Sequence, residues 1–272
     1  MSAQSDLSSK VTIATLKAKK LAAEKITALT AYDAAFASVL DASGVDFVLV
    51  GDSLGMVVQG RDTTISVTVD EIIYHSQLVS RGLDRALLMA DMPFMSYATP
   101  DDCLRNAARM MKEGNAEVVK LEWGALEIDM VYRLTECGVP VCAHLGLTPQ
   151  AIHKYGGYKV QGREASAAIQ MKKDALELEQ AGADILLLEC VPITLAQEIT
   201  DQAKIPVIGI GAGQHVDGQI LVLYDVLDIA PGKRTRFSKN YMEQESSIQA
   251  AVSAYVREVQ LGEFPTVEYA FK

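Results

Sequence analysis

The segment Val45–Gly60, VDFVLVGDSLGMVVQG, decides the fold that this sequence predicts. It opens with a short apolar run in which Asp46 is the polar interruption. An apolar run without alternation predicts a strand that is covered on both faces, as in a parallel sheet flanked by helices. Asp52 and Ser53 follow at the carboxyl end of this strand, where parallel α/β folds place their ligand sites. Asp52 could instead cap the next segment, and this stretch alone does not separate the two roles.

Short apolar runs like this one recur along the chain, and helix-like stretches separate them. Eight runs read as strands, namely Lys25–Ala31, Val45–Val50, Ala86–Ala90, Glu117–Leu121, Pro140–Ala143, Asp184–Leu188, Pro206–Ile210 and Gln219–Tyr224. The last run could instead be helical. Eight strands, nearly all followed by a helix, predict a (β/α)₈ TIM barrel, with an extra N-terminal helix over Val11–Glu24. A doubly wound open sheet is the alternative, but it usually has about five or six strands.

The bulk properties of the chain describe an ordinary globular protein. Its 272 residues suit one α/β barrel, and no composition break indicates a linker. We therefore expect a disordered N-terminus over residues 1–10 and a single barrel domain over residues 11–272, including the C-terminal helix.

The charge and the apolar pattern exclude several classes of partner. A net charge of −10 argues against nucleic acid, which attracts basic proteins. The first ten residues lack the apolar centre of a secretory signal, and no apolar run approaches the ~18 residues that span a bilayer. Four cysteines are scattered without metal-finger spacing, which indicates free thiols in a reducing compartment. We therefore expect a cytoplasmic protein without membrane contact.

Titratable side chains stand at or just after the ends of most predicted strands. They are Asp33, Asp52, Asp91, Lys120, Glu122, His144 and Glu189. A barrel brings the carboxyl ends of all its strands to one rim. Several buried charges at one rim repel each other and lose hydration, unless a cation or a substrate compensates them. This arrangement favours a functional site over a purely structural one.

The residue types at this rim indicate their chemistry. Asp52, Asp91 and Glu122 offer hard oxygen ligands, which suit Mg²⁺ shared with a bidentate substrate. Salt bridging to Lys120 is the structural alternative, and it would suit one of the three carboxylates. Zinc is disfavoured because a single histidine and no matching thiolate stand nearby. Lys120 and Ser53 could both bind a substrate carboxylate.

Three further rim positions can be weighed from their neighbours. His144 lies in an apolar stretch, where a lone histidine is often a core residue, but its strand-end position favours function. Glu189 follows ILLL, so burial should raise its pKa and suit it to general-base catalysis. Cys190 is a poor nucleophile candidate because no activating base is visible, and it should face away from Glu189. The glycines of 209–213 do not complete a dinucleotide motif, since Gln214 stands where the pattern continues.

The sequence resembles the ketopantoate hydroxymethyltransferase family over nearly its whole length, from about Thr12 to the C-terminal helix. The motifs that carry the resemblance are ITALTAYD, VLVGDSLGMVVQG, VTVDEIIYH, LLMADMPFMSYATP, VKLE, VPVCAHLGLTPQ, GGYKVQGR, LLLECVP, IPVIGIGAG and DGQILV. The resemblance implies a barrel of the phosphoenolpyruvate/pyruvate type. It implies transfer of a hydroxymethyl group from 5,10-methylenetetrahydrofolate to 3-methyl-2-oxobutanoate, giving ketopantoate in pantothenate biosynthesis. It also implies a homo-oligomer, often a decamer.

Site residues carry over from the family by matching motifs. Asp52, Asp91 and Glu122 fall on its Mg²⁺ site, the last through water. Contacts to the 2-oxo acid fall on Asp52, Asp91, Ser53 and Lys120.

His144 falls near the keto oxygen of the substrate in the family pattern, and Glu189 falls on the base. The implied mechanism forms an enolate, which attacks the methylene carbon carried by the folate. Glu189 would remove the substrate proton or manage the proton of the new hydroxyl. The loop over Gly146–Gly162 would wall the folate cleft, and Tyr155 could stack on the pterin.

Two positions depart from the family pattern, and two rival interpretations remain. Trp123 and Asp228 stand where glycine is expected, and Trp123 could reshape the surroundings of Glu122. A phosphoenolpyruvate mutase or isocitrate lyase relative should carry a KKCGH-type cysteine loop, and no such run occurs here. A non-catalytic barrel that acts as a binding or scaffold protein would be expected to have lost rim carboxylates, and all of them are present.

Overall fold

The computed structural model describes residues 9–122, 128–230, 232 and 234–272. Within these ranges eight parallel strands close into a barrel in chain order. They are β1 Ile26–Thr30, β2 Phe47–Val50, β3 Leu87–Asp91, β4 Val118–Glu122, β5 Val141–Gly146, β6 Ile185–Glu189, β7 Val207–Ile210 and β8 Gly218–Leu221. The predicted (β/α)₈ barrel is confirmed, and the open-sheet alternative is wrong.

Helices surround the barrel and connect its strands. They are α1 Ile13–Leu21, α2 Ala34–Ala42, α3 Leu54–Val57, α4 Val69–Ser80, α5 Pro100–Lys112, α6 Ile128–Glu136, α7 Ile152–Tyr155, α8 Ala165–Gln180, α9 Ile193–Gln202, α10 Leu223–Val226 and α11 Ile248–Leu261. Short 3₁₀ helices cover Pro149–Ala151, Tyr241–Glu243 and Val267–Tyr269. In the ranges that the structure covers, no helix is both long and apolar enough to cross a membrane.

Local sequence signals set the helix boundaries. The Thr99 side chain accepts a hydrogen bond from the Asp102 backbone N–H, and Pro100 occupies the first position of α5. The Thr68 and Glu71 side chains form a reciprocal capping box at the start of α4. The predicted eighth strand, Gln219–Tyr224, ends early because the chain turns into α10.

Helix α1 lies across the amino-terminal end of the barrel. Its Lys17 and Lys20 ammonium groups each lie 2.6 Å from a carboxylate, on Asp184 and Asp217. These aspartates directly precede β6 and β8. Lys19 makes the same contact with the aspartate before β2, so the predicted N-terminal helix covers the bottom of the barrel.

Helix α11 fastens the seam at which the first and last strands pair. The Tyr255 hydroxyl is buried and lies 3.0 Å from the carbonyl oxygens of Ala28 in β1 and Gln219 in β8. One side chain from the C-terminal helix thus holds both strands of the seam.

Parts of two expectations lie outside the described residues. Residues 1–8 and Trp123 belong to the ranges that the structure leaves undescribed. Lys10, at the end of the segment expected to be disordered, donates a 2.8 Å hydrogen bond to the Ala86 carbonyl. Asp228 is described, with its backbone in the left-handed region at φ 56°, which explains why glycine would fit there.

Candidate active site

A cavity of about 730 Å³ opens at the carboxyl ends of the strands. Seven predicted site residues line it, namely Asp52, Ser53, Asp91, Lys120, Glu122, His144 and Glu189. Asp33 belongs elsewhere, since its carboxylate accepts from the Phe36 N–H and caps α2. The structure therefore brings all but one of the strand-end residues to one cavity.

The register of the barrel explains why these side chains converge. Asp91 pairs with Lys120 across β3 and β4, and Glu122 pairs with His144 across β4 and β5. Side chains two residues apart on a strand face the same side, so Lys120 and Glu122 both face the cavity. His144 lies within β5, whereas the sequence analysis had placed it directly after this strand.

A buried ammonium group stands among three buried carboxylates. Lys120 Nζ lies 2.5 Å from Asp91 Oδ1 and 3.3 Å from Glu122 Oε1. Burial alone would lower the pKa of Lys120, but Asp91, Glu122 and Asp52 raise it above its usual value. We call Asp52, Asp91 and Glu122 the carboxylate cluster. One ammonium group cannot balance its three charges.

The pKa values of the three groups in the carboxylate cluster are shifted differently. Burial, and then repulsion from Asp91 and Glu122, raises the pKa of Asp52 well above its usual value. Burial also raises the pKa of Asp91, against the attraction of Lys120. Burial opposes ionisation of Glu122 as well, but Lys120 and then His144 lower its pKa to about 2. Asp52 and Asp91 are therefore the carboxyl groups whose ionisation a bound cation would favour most.

The capping alternative for Asp52 is wrong. Its Oδ2 accepts a 2.9 Å hydrogen bond from the Gln150 side chain, and no described hydrogen bond joins the Asp52 carboxylate to the backbone of α3. Ser53 precedes α3 without capping it, and its hydroxyl lies 2.8 Å from the Tyr32 hydroxyl.

His144 stands between two carboxylates. Its Nδ1 lies 3.3 Å from Glu122 Oε1, and its Nε2 lies 3.5 Å from Glu189 Oε2. Burial lowers the pKa of His144, and the charge of Lys120 lowers it further. The imidazole is therefore neutral near pH 7 and carries one N–H that can donate to an oxygen in the cavity.

Burial, and then the charge of Glu122, raises the pKa of Glu189 to about 8, as its apolar sequence context predicted. Cys190 also lines the cavity, so the expectation that it faces away from Glu189 is wrong. The left-handed backbone at Cys190, φ 50°, turns the chain as β6 ends. Burial raises the pKa of its thiol, which keeps the sulfur protonated and unreactive.

The loop after β5 is more ordered than predicted. It contains a 3₁₀ turn and α7, and Tyr158 lines the cavity in the place expected for Tyr155. The Tyr155 hydroxyl instead lies 3.4 Å from the Thr148 hydroxyl.

The glycines after β7 serve packing. A Cβ atom at Gly211 would stand 3.0 Å from Phe237 and 3.1 Å from Phe271, and one at Gly213 would stand 2.8 Å from Ile193. Small residues are needed there for close packing, which accounts for the incomplete dinucleotide motif.

Gln150 is the site residue that sequence reasoning missed. It follows β5 in the stretch HLGLTPQ, and its side chain is buried among the carboxylate cluster. Its Nε2 donates to Asp52 Oδ2 and to the Met92 carbonyl, each at 2.9 Å. A polar residue closely following His144 within a buried stretch was the available signal.

The donor set fits a hard cation with incomplete protein ligation. In the described ranges, no three histidine, cysteine or acidic side chains converge closely enough to hold a metal ion by themselves. Asp52 and Asp91 nevertheless offer carboxylate oxygens on one side of the cavity, and a bound cation would stabilise their ionised forms. Carboxylate oxygens completed by water or substrate oxygens form the coordination that Mg²⁺ prefers.

Comparisons with known proteins identify the family to which the sequence is similar. The family model described as ketopantoate hydroxymethyltransferase matches residues 10–267. The 3-methyl-2-oxobutanoate hydroxymethyltransferase of Alkalilimnicola ehrlichii is 57% identical over 261 residues, covering 96% of this chain and 94% of the relative. The enzyme of the same name from Nitrosococcus oceani is 54% identical over 262 residues, covering 96% and 99%.

Solved structures share the fold at low identity. A phosphonopyruvate hydrolase in complex with oxalate and Mg²⁺ aligns with a TM-score of 0.60 and 13% identity, over 95% of this chain and 93% of that one. The phosphoenolpyruvate phosphomutase of Streptomyces platensis subsp. rosaceus gives 0.61 and 12%, over 79% and 82%. These likenesses place the barrel beside the phosphoenolpyruvate mutase and isocitrate lyase barrels in fold.

Proposed function

This chain belongs to the ketopantoate hydroxymethyltransferase family, and we propose that it makes ketopantoate through an enolate formed in the barrel cavity. It is an enzyme that transfers a hydroxymethyl group to 3-methyl-2-oxobutanoate in pantothenate synthesis. The observation that carries the proposed mechanism is the carboxylate cluster beside a neutral His144 and a largely buried Glu189, whose side chain is 15% exposed. Neither a non-catalytic barrel nor an enzyme with mutase or lyase activity fits relatives that share more than half of the sequence.

Asp52 and Asp91 would hold Mg²⁺, and Glu122 would reach it through water. The raised pKa values of the first two side chains support this assignment, because a bound cation would stabilise their ionised forms. Contacts with Lys120, His144 and the Gln150 backbone N–H lower the pKa of Glu122, so its ionised form depends less on a bound cation than those of the other two. When bound, the metal would act as a Lewis acid that stabilises negative charge on the enolate oxygen.

Three side chains are placed to bind the 2-oxo acid. Lys120 supplies a positive charge for the substrate carboxylate, and the Ser53 hydroxyl supplies a donor for the same group. His144 can donate its N–H to the keto oxygen, and that hydrogen bond strengthens as the oxygen gains charge.

Glu189 is the proposed base. Its ionised carboxylate takes the proton from C3 of 3-methyl-2-oxobutanoate, which leaves the enolate. The enolate carbon then bonds to the methylene carbon of 5,10-methylenetetrahydrofolate, the proposed co-substrate. One methylene–nitrogen bond breaks as this carbon–carbon bond forms. Water then displaces the second nitrogen and supplies the hydroxyl of ketopantoate. The two nitrogens of the released tetrahydrofolate take up the C3 proton and one proton of the water. Glu189 could alternatively handle the proton of that new hydroxyl.

Exchange of the C3 proton separates these roles. The wild-type enzyme, given 3-methyl-2-oxobutanoate and Mg²⁺ in D₂O without folate, should lose the C3 proton signal by NMR. EDTA should stop both this exchange and ketopantoate formation. Transfer that is indifferent to EDTA would overturn the metal role. Exchange that persists in Glu189→Gln, with transfer lost, would move Glu189 to the later proton step.

We also propose a cytoplasmic homo-oligomer, a decamer by family resemblance, which binds no nucleic acid. The acidic net charge supports the proposal that the protein binds no nucleic acid. In the described ranges, no helix is suited to cross a membrane. Sedimentation of the purified protein tests it, and a monomer at micromolar concentration would contradict the oligomer.

A further inference from the structure

We propose that Gln150 is a positioning residue that fixes which oxygen of Asp52 faces the cation and substrate. The inference rests on the proposed function, because it concerns the metal side of the same cavity. No role in the proposed reaction has been assigned to Gln150. Its amide has no described contact with the Lys120 ammonium or with Glu189, the proposed base.

The orientation of the Gln150 amide is determined by its neighbours. The Met92 carbonyl can only accept a hydrogen bond, so the amide nitrogen must face it, at 2.9 Å. The Tyr97 hydroxyl then donates to Gln150 Oε1 at 2.6 Å. The second N–H of the amide is directed at Asp52 Oδ2, at 2.9 Å.

The same residue also contacts a second member of the carboxylate cluster. The Gln150 backbone N–H donates to Glu122 Oε2 at 3.1 Å. Gln150 is 2% exposed, so these bonds form away from bulk water, where a lost partner is costly. One residue therefore connects Asp52 to Glu122 without contributing a charge.

All oxygens of the carboxylate cluster but one have a described hydrogen-bond or ion-pair partner. Asp91 Oδ2 accepts the Asp52 backbone N–H, and Asp91 Oδ1 pairs with Lys120. Glu122 Oε1 faces Lys120, and its Oε2 accepts from Gln150. Gln150 occupies Asp52 Oδ2, so Asp52 Oδ1 is the cluster oxygen to which the described part of the chain gives neither a hydrogen bond nor an ion pair.

Binding of a cation should therefore depend on the Gln150 amide. Without it, the Asp52 carboxylate loses the bond that fixes its rotation, and either oxygen can turn towards or away from the cavity. Partners of this kind, which orient a metal ligand from behind, change metal affinity by about 10–100-fold when they are removed.

The test is a titration of metal-free, full-length protein with Mn²⁺, followed by calorimetry or by the electron spin resonance of free Mn²⁺. Gln150→Met keeps the length of the side chain and removes its hydrogen bonds. Gln77→Met is the matched control, because the Gln77 amide donates to the Glu113 carbonyl on the surface. We expect Gln150→Met to raise the Kd for Mn²⁺ by about 10–100-fold, and Gln77→Met to leave it unchanged.

A second variant covers the case in which Gln150→Met does not fold. Tyr97→Phe removes the hydroxyl that holds Gln150 Oε1, and it should raise the same Kd several-fold. A folded Gln150→Met with wild-type Kd would overturn the inference and leave the proposed function intact. An unfolded Gln150→Met combined with a wild-type Kd in Tyr97→Phe would overturn it equally. Wild-type protein that binds no Mn²⁺ would overturn both the inference and the proposed metal site.

Discussion

Asp91 and Lys120 are register partners on adjacent strands, and the Lys120 ammonium lies 2.5 Å from the Asp91 carboxylate. Both side chains are almost completely buried. The pair is therefore fixed by the barrel itself and not by flexible surface side chains. Removal of either partner would leave a buried charge without compensation.

Replacement of Lys120 by methionine should destabilise the metal-free protein. The carboxylate cluster would lose the ammonium group beside it, and removing one partner of a buried pair costs about 3–5 kcal/mol. Urea unfolding at pH 7 in EDTA measures this change in the free energy of unfolding. Lys172→Met is the control, because Lys172 pairs with the half-exposed Glu198 and should cost less than about 1 kcal/mol. Equal losses in the two variants would contradict the prediction.

Replacement of Glu189 by glutamine should slow ketopantoate formation by ~10²–10⁴-fold, because the amide cannot take the C3 proton. The rate with saturating substrates measures this effect. Glu198→Gln, which makes the same change on the exposed face of α9, should keep the wild-type rate. Near wild-type turnover in Glu189→Gln would place the base elsewhere.

The raised pKa of Glu189 should also appear in the stability of the metal-free protein. Between the usual value of 4.5 and about 8, the folded protein keeps a proton that the unfolded chain has released. The free energy of unfolding should therefore fall as pH rises through this interval, by at most about 5 kcal/mol.

Glu189→Gln lacks this proton and should not show that loss. The variant should gain stability relative to the wild type as pH increases from 5 to 9, measured by urea unfolding in EDTA. A difference between the two proteins that stays constant over this range would show that Glu189 titrates near its usual value.

Gly146 should not tolerate alanine. Its φ is 99°, and a Cβ atom there would collide with the backbone carbonyl of its register partner, Glu189. Gly138 is the matched control, because its φ is 80° but a Cβ atom there meets open space. Gly138→Ala should cost about 1–2 kcal/mol from backbone strain alone. Gly146→Ala should cost more, and it should also lower turnover by displacing Glu189. Equal stability and wild-type turnover in both would contradict this reasoning.

The strand-end residues were predictable because a parallel barrel brings the carboxyl ends of all its strands to one rim. Asp52, Asp91 and Glu189 each follow or end an apolar run, so their convergence required only the fold. Their assignment as ligands and base stays a prediction, which the EDTA and Glu189→Gln experiments test.

The remaining contacts depend on side-chain packing that no sequence period encodes. Gln150 reaches Asp52 across 98 residues of chain, after a turn whose course the sequence does not specify. Tyr158 replaces Tyr155 at the cavity because α7 turns the loop in a way that polar loop residues did not reveal. Cys190 reaches the cavity through a left-handed backbone that a regular strand would not have.

The Tyr255 hydroxyl joins the first and last strands of the barrel, so the order in which the chain is synthesised affects its folding. A ribosome adds about 5–20 residues per second, so the 191 positions from Thr30 at the end of β1 to Leu221 at the end of β8 take roughly 10–40 s. During that time β1 exists without the strand that will pair with its free edge, and an unpaired edge invites association with other chains. We therefore expect the nascent chain to be open to association at this edge until β8 has emerged and Tyr255 has joined the two strands, so that a shortage of chaperone lowers the yield of folded protein.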